Sequence, residues 1–148
     1  MKKILIANRG EIAIRIARSV SDQGMIPVGI YSEDDDSSLH LTKMNENHKI
    51  AGKGVSAYLD IKEIVSISKE NNIDAIHPGY GFLSENQNFA KIVRKEGIIF
   101  IGPDEKTLKL LGQKSLARGL AEKLGIPVIK GTNKKTSLEE SKKFFKSL

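Results

Sequence analysis

The chain has 148 residues, a formal charge of +6 and no cysteine, which excludes disulfides and thiolate metal sites. Apolar residues make up 39% and charged residues 28%, the balance of a folded domain with its own core rather than of a disordered chain. No apolar run reaches the length of a membrane span, and the 5% of aromatic residues do not interleave with basic ones as a single-strand nucleic-acid platform requires.

Met1-Lys2-Lys3 leads into Ile4-Leu5-Ile6-Ala7 and then Asn8-Arg9-Gly10-Glu11, too short and too charged for a signal peptide; a cytoplasmic chain is expected. Residues 3–8 (KILIAN) read as a buried strand. Residues 10–23 read as a helix with Ile12, Ala13, Ile16, Ala17 and Val20 on its apolar side, stopped by Gly24. Residues 26–31 (IPVGIY) form a second strand and the acidic run 33–38 a loop. The segment 39–57 is weakly patterned, with a short strand near 48–50.

Asp60 is placed to cap a helix reaching Glu70, with Ile61, Ile64, Val65 and Ile67 for burial. A strand follows at 74–77, a helix at 85–95 ended by Gly97, a strand at 98–101 closed by Gly102-Pro103, and a helix from Asp104 to about Leu111. This alternation predicts an α/β fold built on a parallel sheet with helices on both faces. Beyond it the pattern changes to a helix at 115–124, extended residues 126–130, and a helix from about 138 that opens with the capping box Ser137-Leu138-Glu139-Glu140. Many lysines gather here (Lys130, Lys134, Lys135, Lys142, Lys143, Lys146) and read as solvated faces and loops. The chain reads as stopping at Leu148 in mid-architecture.

Three stretches are candidate sites. Asn8-Arg9-Gly10-Glu11 joins the first strand to the first helix, where doubly wound sheets bind ligands. Only one glycine of a dinucleotide fingerprint is present, so a tight turn with Glu11 on the helix dipole explains it equally well. Gly112-Gln113-Lys114-Ser115 lacks the adjacent Gly-Lys pair and the preceding glycine of a Walker loop, leaving Lys114 as a surface lysine on that ground. In His77-Pro78-Gly79-Tyr80-Gly81, proline ends the strand and the glycines permit positive φ or close approach. His77 reads as a capped or packed histidine rather than a base, and Glu85 as a first-turn residue. No zinc spacing, and no nucleophile with a base in reach, is visible. The residues alone define a loop site and leave its chemistry open.

Taken together, IANRGEIAIRIAR (6–18), HPGYGFLSEN (77–86), FIGP (100–103) and LGQKSLAR (111–118) resemble the N-terminal domain of biotin carboxylase. They occur in order and at suitable spacing, and the match continues through GIPVIKGT at 125–132. The resemblance implies a Rossmann-like α/β domain over 1–112 that precedes an ATP-grasp ligase core, with 113–148 leading into that core. Such enzymes use ATP, Mg2+ (or Mn2+) and bicarbonate to form carboxyphosphate and then carboxylate biotin on a carrier protein. A carboxyltransferase is the further partner, the full-length enzyme is a homodimer, and neither nucleic acid nor membrane is a partner.

Carried over residue by residue, Lys114 contacts ATP phosphate, to which an ammonium offers three donors. Tyr80, Gly81 and Glu85 form an active-site wall, and Arg18 and Asp22 match positions near the dimer interface. No catalytic residue and no metal ligand of the family falls in this chain. Two departures stand out: residues 44–52 (MNENHKIAG) are mixed where family members are acidic, and Gly112-Gln113-Lys114 replaces Gly-Asp-Lys. The expectation is that the chain alone is inactive, its parent serving acetyl-CoA carboxylation in fatty acid biosynthesis or a related carboxylation. The alternative is a non-catalytic module that docks on a full-length carboxylase subunit.

Overall fold

The computed structural model describes residues 1–132 and 136–146; Lys134, Lys135 and Leu148, named above, lie outside them. The chain divides into two compact units, Met1–Glu105 and Lys106–Leu148.

The first unit is a sheet of five parallel strands in the order β3-β2-β1-β4-β5. The strands are β1 (Lys3–Ile6), β2 (Ile26–Tyr31), β3 (Glu46–Lys49), β4 (Ala75–His77) and β5 (Ile99–Phe100). β1 is central, and Leu5 and Ile6 are fully buried, as expected for a parallel strand covered on both faces. Its neighbours are set by register: Ile4 lies beside both Pro27 and Ala75, and Ile6 beside both Gly29 and His77. β3 is an edge strand of sequence ENHK, whose charges suit an unpaired edge; it starts two residues earlier than the apolar signal at 48–50 suggested.

The chain leaves β1 towards β2, then crosses back over β1 to form β4. Right-handed crossovers therefore place α1 (Gly10–Asp22) on one face and α3 (Ile61–Glu70) with α4 (Gln87–Lys95) on the other. On the first face Ala13 and Ala17 of α1 pack on Ile6, and Val20 packs on Ile4 and Ala75. On the second, Lys69 of α3 pairs with Glu96 just after α4 at 2.6 Å, and Phe89 meets Phe100 edge-on at 5.8 Å.

The caps explain the helix starts. The Asp60 carboxylate accepts from the Glu63 N–H at 3.0 Å, and Asn86 Oδ1 accepts from the Asn88 and Phe89 N–H groups at 2.9 and 3.0 Å. Because Asn86 is the cap, Glu85 stays in the preceding loop and α4 begins at Gln87, not at the expected 85. The weak segment 39–57 contains a 3₁₀ turn (Leu39–Lys43) and the one-turn helix α2 (Gly54–Ala57).

Past Glu105, where α5 (Glu105–Gly112) begins, the second unit holds α6 (Lys114–Lys123) and α7 (Leu138–Phe145). Residues 126–129 have no regular structure. The α7 capping box is formed in both directions, Ser137 Oγ accepting from the Glu140 N–H at 3.2 Å and Glu140 Oε2 from the Ser137 N–H at 2.8 Å. No described helix is long and apolar enough to cross a membrane.

Candidate functional site at the strand switch point

Where neighbouring parallel strands send their chains in opposite directions, their carboxyl ends open a crevice. In this sheet those strands are β1 and β4. The last rung between them is the Ala7 N–H donating to the His77 carbonyl at 2.9 Å. Asn8, only 2% exposed, comes next and clamps the following loop. Its Nδ2 donates to the carbonyls of Pro78 (2.8 Å) and Tyr80 (2.9 Å), while its Oδ1 accepts from the Arg9 N–H at 3.0 Å. One side-chain amide thus satisfies three backbone groups that have no ladder partner.

The loop fits this clamp because of its glycines. Gly79 has φ +69°, and a Cβ built there would stand 2.6 Å from Asn8 Nδ2; only a residue without a side chain lets the two segments approach so closely. Gly81 has φ +69° and Phe82 φ +43°, so the chain coils through left-handed conformations on either side of the turn. His77 braces the same turn: its Nδ1 accepts from the Gly79 N–H at 3.0 Å. That nitrogen is therefore unprotonated in the neutral ring, which carries its hydrogen on Nε2. Burial pulls the His77 pKa below its ordinary value, which matches a packed, turn-capping histidine. The product of these constraints is a Tyr80 that stands 78% exposed.

Two cavities flank Tyr80. One, of about 520 Å³, lies between the start of α1 (Arg9 to Ile12) and the loop Tyr80-Gly81-Phe82, with Asp35 and Ser38 along its edge. The other, of about 620 Å³, runs along the apolar side of α1 past Ile12, Ile16, Val20 and Met25 to His77 and Ile101. Both fall in the size range of small-molecule sites.

Charge at the first cavity is organised around Asp35. Arg9 Nη1 donates to its two carboxylate oxygens at 3.0 and 2.7 Å, Ser38 Oγ at 2.8 Å and Tyr58 OH at 2.8 Å. Burial alone would raise the Asp35 pKa, but these donors outweigh it and hold it below the usual carboxylate value. Asp35 in turn raises the Arg9 pKa. Tyr58, fully buried, is pushed up to about 12 by desolvation and by its bond to Asp35. Asp34 is held down by the Gly54 N–H and the Ser32 hydroxyl.

Of the residues singled out by sequence, Tyr80 and Gly81 line the first cavity. Glu85 is exposed and lines neither cavity. Arg18 and Asp22 are exposed, one turn apart on α1, also outside both linings. Lys114 is exposed and is the first residue of α6 in the second unit. Sequence reading missed Asn8 as a clamp, and missed Asp35 and Tyr58 altogether. Asp35 is the middle of three consecutive aspartates, and Tyr58 lies in the weakly patterned segment, so neither carried a local signal. Among the described residues no group of three or more His, Asp or Glu could hold a metal ion.

A parallel sheet with its switch point between β1 and β4, and a clamped glycine loop over that point, defines a Rossmann-like α/β domain. Within that class the chain belongs to the biotin carboxylase N-terminal domain family, whose model matches residues 1–108. It is 50% identical over 136 residues to the pyruvate carboxylase of Bacillus subtilis (strain 168), covering 90% of this chain and 12% of that protein. Among solved structures, the biotin carboxylase domain of a single-chain bacterial carboxylase superposes with a TM-score of 0.95 at 47% identity, over 99% of this chain and 34% of that one. The Hydrogenobacter thermophilus 2-oxoglutarate carboxylase biotin carboxylase domain dimer, solved with MgADP, ADP and bicarbonate, gives 0.95 at 37% identity, over 99% and 32%. The chain thus spans about an eighth of the pyruvate carboxylase and about a third of the two solved chains.

Proposed function

We propose that this chain supplies the N-terminal domain of a biotin carboxylase, which carboxylates biotin on a carrier protein at the expense of ATP and bicarbonate. A carboxyltransferase outside the chain selects the final acceptor, whether acetyl-CoA for fatty acid biosynthesis, pyruvate or another acid. The observation that carries this reading is the Asn8-clamped loop, which holds Tyr80 and Gly81 beside a cavity at the switch point in a chain of this family. Tyr80 and Gly81 are then one wall of the carboxylation site, and Glu85 stands at its approach. Lys114 donates to ATP phosphate, and Arg18 and Asp22 face the second subunit of a dimer. Residues 1–112 act as the α/β domain, and 113–148 lead into the ATP-grasp core.

The fit to the cofactors is partial. The described residues offer no carboxylate cluster for Mg2+, and a single exposed lysine is one nucleotide contact, not a nucleotide site. We also propose that the chain by itself is inactive. The test is a chimaera in which this chain replaces the matching segment of the Bacillus subtilis pyruvate carboxylase. It is expected to cleave ATP in a bicarbonate-dependent way and to carboxylate pyruvate, with Lys114→Ala raising KM for ATP more than it lowers kcat. A folded chimaera without ATP cleavage would overturn the reading of function. Bicarbonate-dependent ATP cleavage by the chain alone would overturn its inactivity.

A further inference from the structure

The Asn8 clamp holds the near end of the exposed loop, through the carbonyls of Pro78 and Tyr80. It does not reach Phe82. Phe82 is one of two non-glycine residues with positive φ among the described residues, Asn72 being the other, and an aromatic side chain does not adopt that conformation unless its surroundings impose it. The ring it packs against is that of Tyr58. The two rings are stacked, with centroids 5.4 Å apart and planes 13° from parallel, within the range in which aromatic pairs attract.

Tyr58 is itself held from three directions. Its hydroxyl donates to Asp35 Oδ2 at 2.8 Å and accepts from the Ser32 N–H at 3.3 Å. The Arg9 guanidinium lies 6.0 Å from its ring centroid. The Asp35 carboxylate is in turn fixed by Arg9 and Ser38. One buried phenol thereby ties the β1–α1 turn, the end of β2 and the loop after β4 into a single cluster.

We infer that Tyr58 is a positioning residue for the Tyr80-Gly81-Phe82 loop: through its stack on Phe82 it holds the far end of the loop, as Asn8 holds the near end. Tyr80 sits between the two anchors, and its direction over the switch-point cavity is set by both. The contribution to catalysis rests on the function proposed above; the clamp itself does not.

The test is limited digestion of the chain with chymotrypsin, which cuts after aromatic residues, with cut sites identified by mass spectrometry. Tyr58→Leu is expected to raise initial cleavage after Tyr80 and Phe82 about tenfold relative to cleavage elsewhere, the size of effect that loss of one aromatic stack produces. Tyr58→Phe, which keeps the stack, should return that ratio to within about twofold of the parent. Phe89→Leu, which disturbs a ring pair on the other side of the sheet, is the control for general loosening and should leave the ratio unchanged. If Tyr58→Leu does not fold, Phe82→Leu removes the same stack from the other side, and cleavage after Tyr80 is read instead. The inference is overturned if the loop-breaking variants give the control's ratio, or if Tyr58→Phe is as readily cut as Tyr58→Leu. Because the digestion uses this chain without any turnover, an inactive chimaera would count against the function and leave this result standing.

Discussion

Asn8 offers the sharpest test of how the loop is built. Replacing it with alanine removes two hydrogen bonds to carbonyls, at 2.8 and 2.9 Å, each worth about 1 kcal/mol net. The Tyr80 carbonyl belongs to an exposed residue and regains water. Pro78 is buried, so its carbonyl is left unsatisfied, adding a further cost of about 1–3 kcal/mol. The expected loss for Asn8→Ala is about 3–5 kcal/mol, or a fall in Tm of roughly 12–20 °C for a unit of this size. Asn8→Asp separates hydrogen bonding from shape, because it is isosteric but sets a carboxylate oxygen against those two carbonyls. At pH 7 it should cost more than alanine. Its buried carboxyl group, repelled by both carbonyls, would have a raised folded pKa, so this variant should regain stability as the pH falls through that value. The assay is urea unfolding followed by circular dichroism at pH 7 and pH 4.5. If Asn8→Ala lies within about 0.5 kcal/mol of the parent, or Asn8→Asp matches the parent at pH 7, the amide does not clamp the loop.

Two further outcomes follow from the same turn. Gly79 and Gly81 share φ +69°, but a Cβ meets Asn8 Nδ2 at 2.6 Å in the first case and nothing within 4 Å in the second. Gly81→Ala should therefore cost only the left-handed penalty of about 1–2 kcal/mol, and Gly79→Ala measurably more; equal losses in urea midpoint would show that the close approach is not tight. Burial lowers the folded pKa of His77, so the unfolded chain binds more protons as the pH drops below about 6.5. The stability His77 contributes is full above that pH and is lost on acidification; His77→Gln should flatten the slope of stability against pH between about 7.5 and 5, and an unchanged or steeper slope would refute the assignment.

Much of the fold could be read locally. The runs ILI, VGI and IDAIH are strands because a parallel sheet covered on both faces needs continuous apolar segments. Ala13, Ala17 and Val20 recur at helical spacing and pack on β1 as that spacing implies. The caps at Asp60 and Ser137 act within a single turn and were visible for that reason. The cap at Asn86 was equally local but hidden by Glu85 beside it. β3 was harder: Glu46, Asn47 and His48 carry no apolar signal, and their strand exists because Gly29 and Ile30 of β2 provide its partners.

Sequence by itself thus determined the alternation of strands and helices, the glycine loop after His77 and the family to which the chain belongs. The first two rest on propensity, periodicity and capping, which act over a few residues; the family rests on the matching motifs spaced along the chain. Only the tertiary structure decided that Asn8 would meet Pro78, 70 positions away, and that Tyr58 would join Asp35 to Phe82. Such contacts depend on the order in which strands pair. Placing β1 between β2 and β4 brings three loop ends to one edge of the sheet, and no local pattern encodes which side chains then find one another.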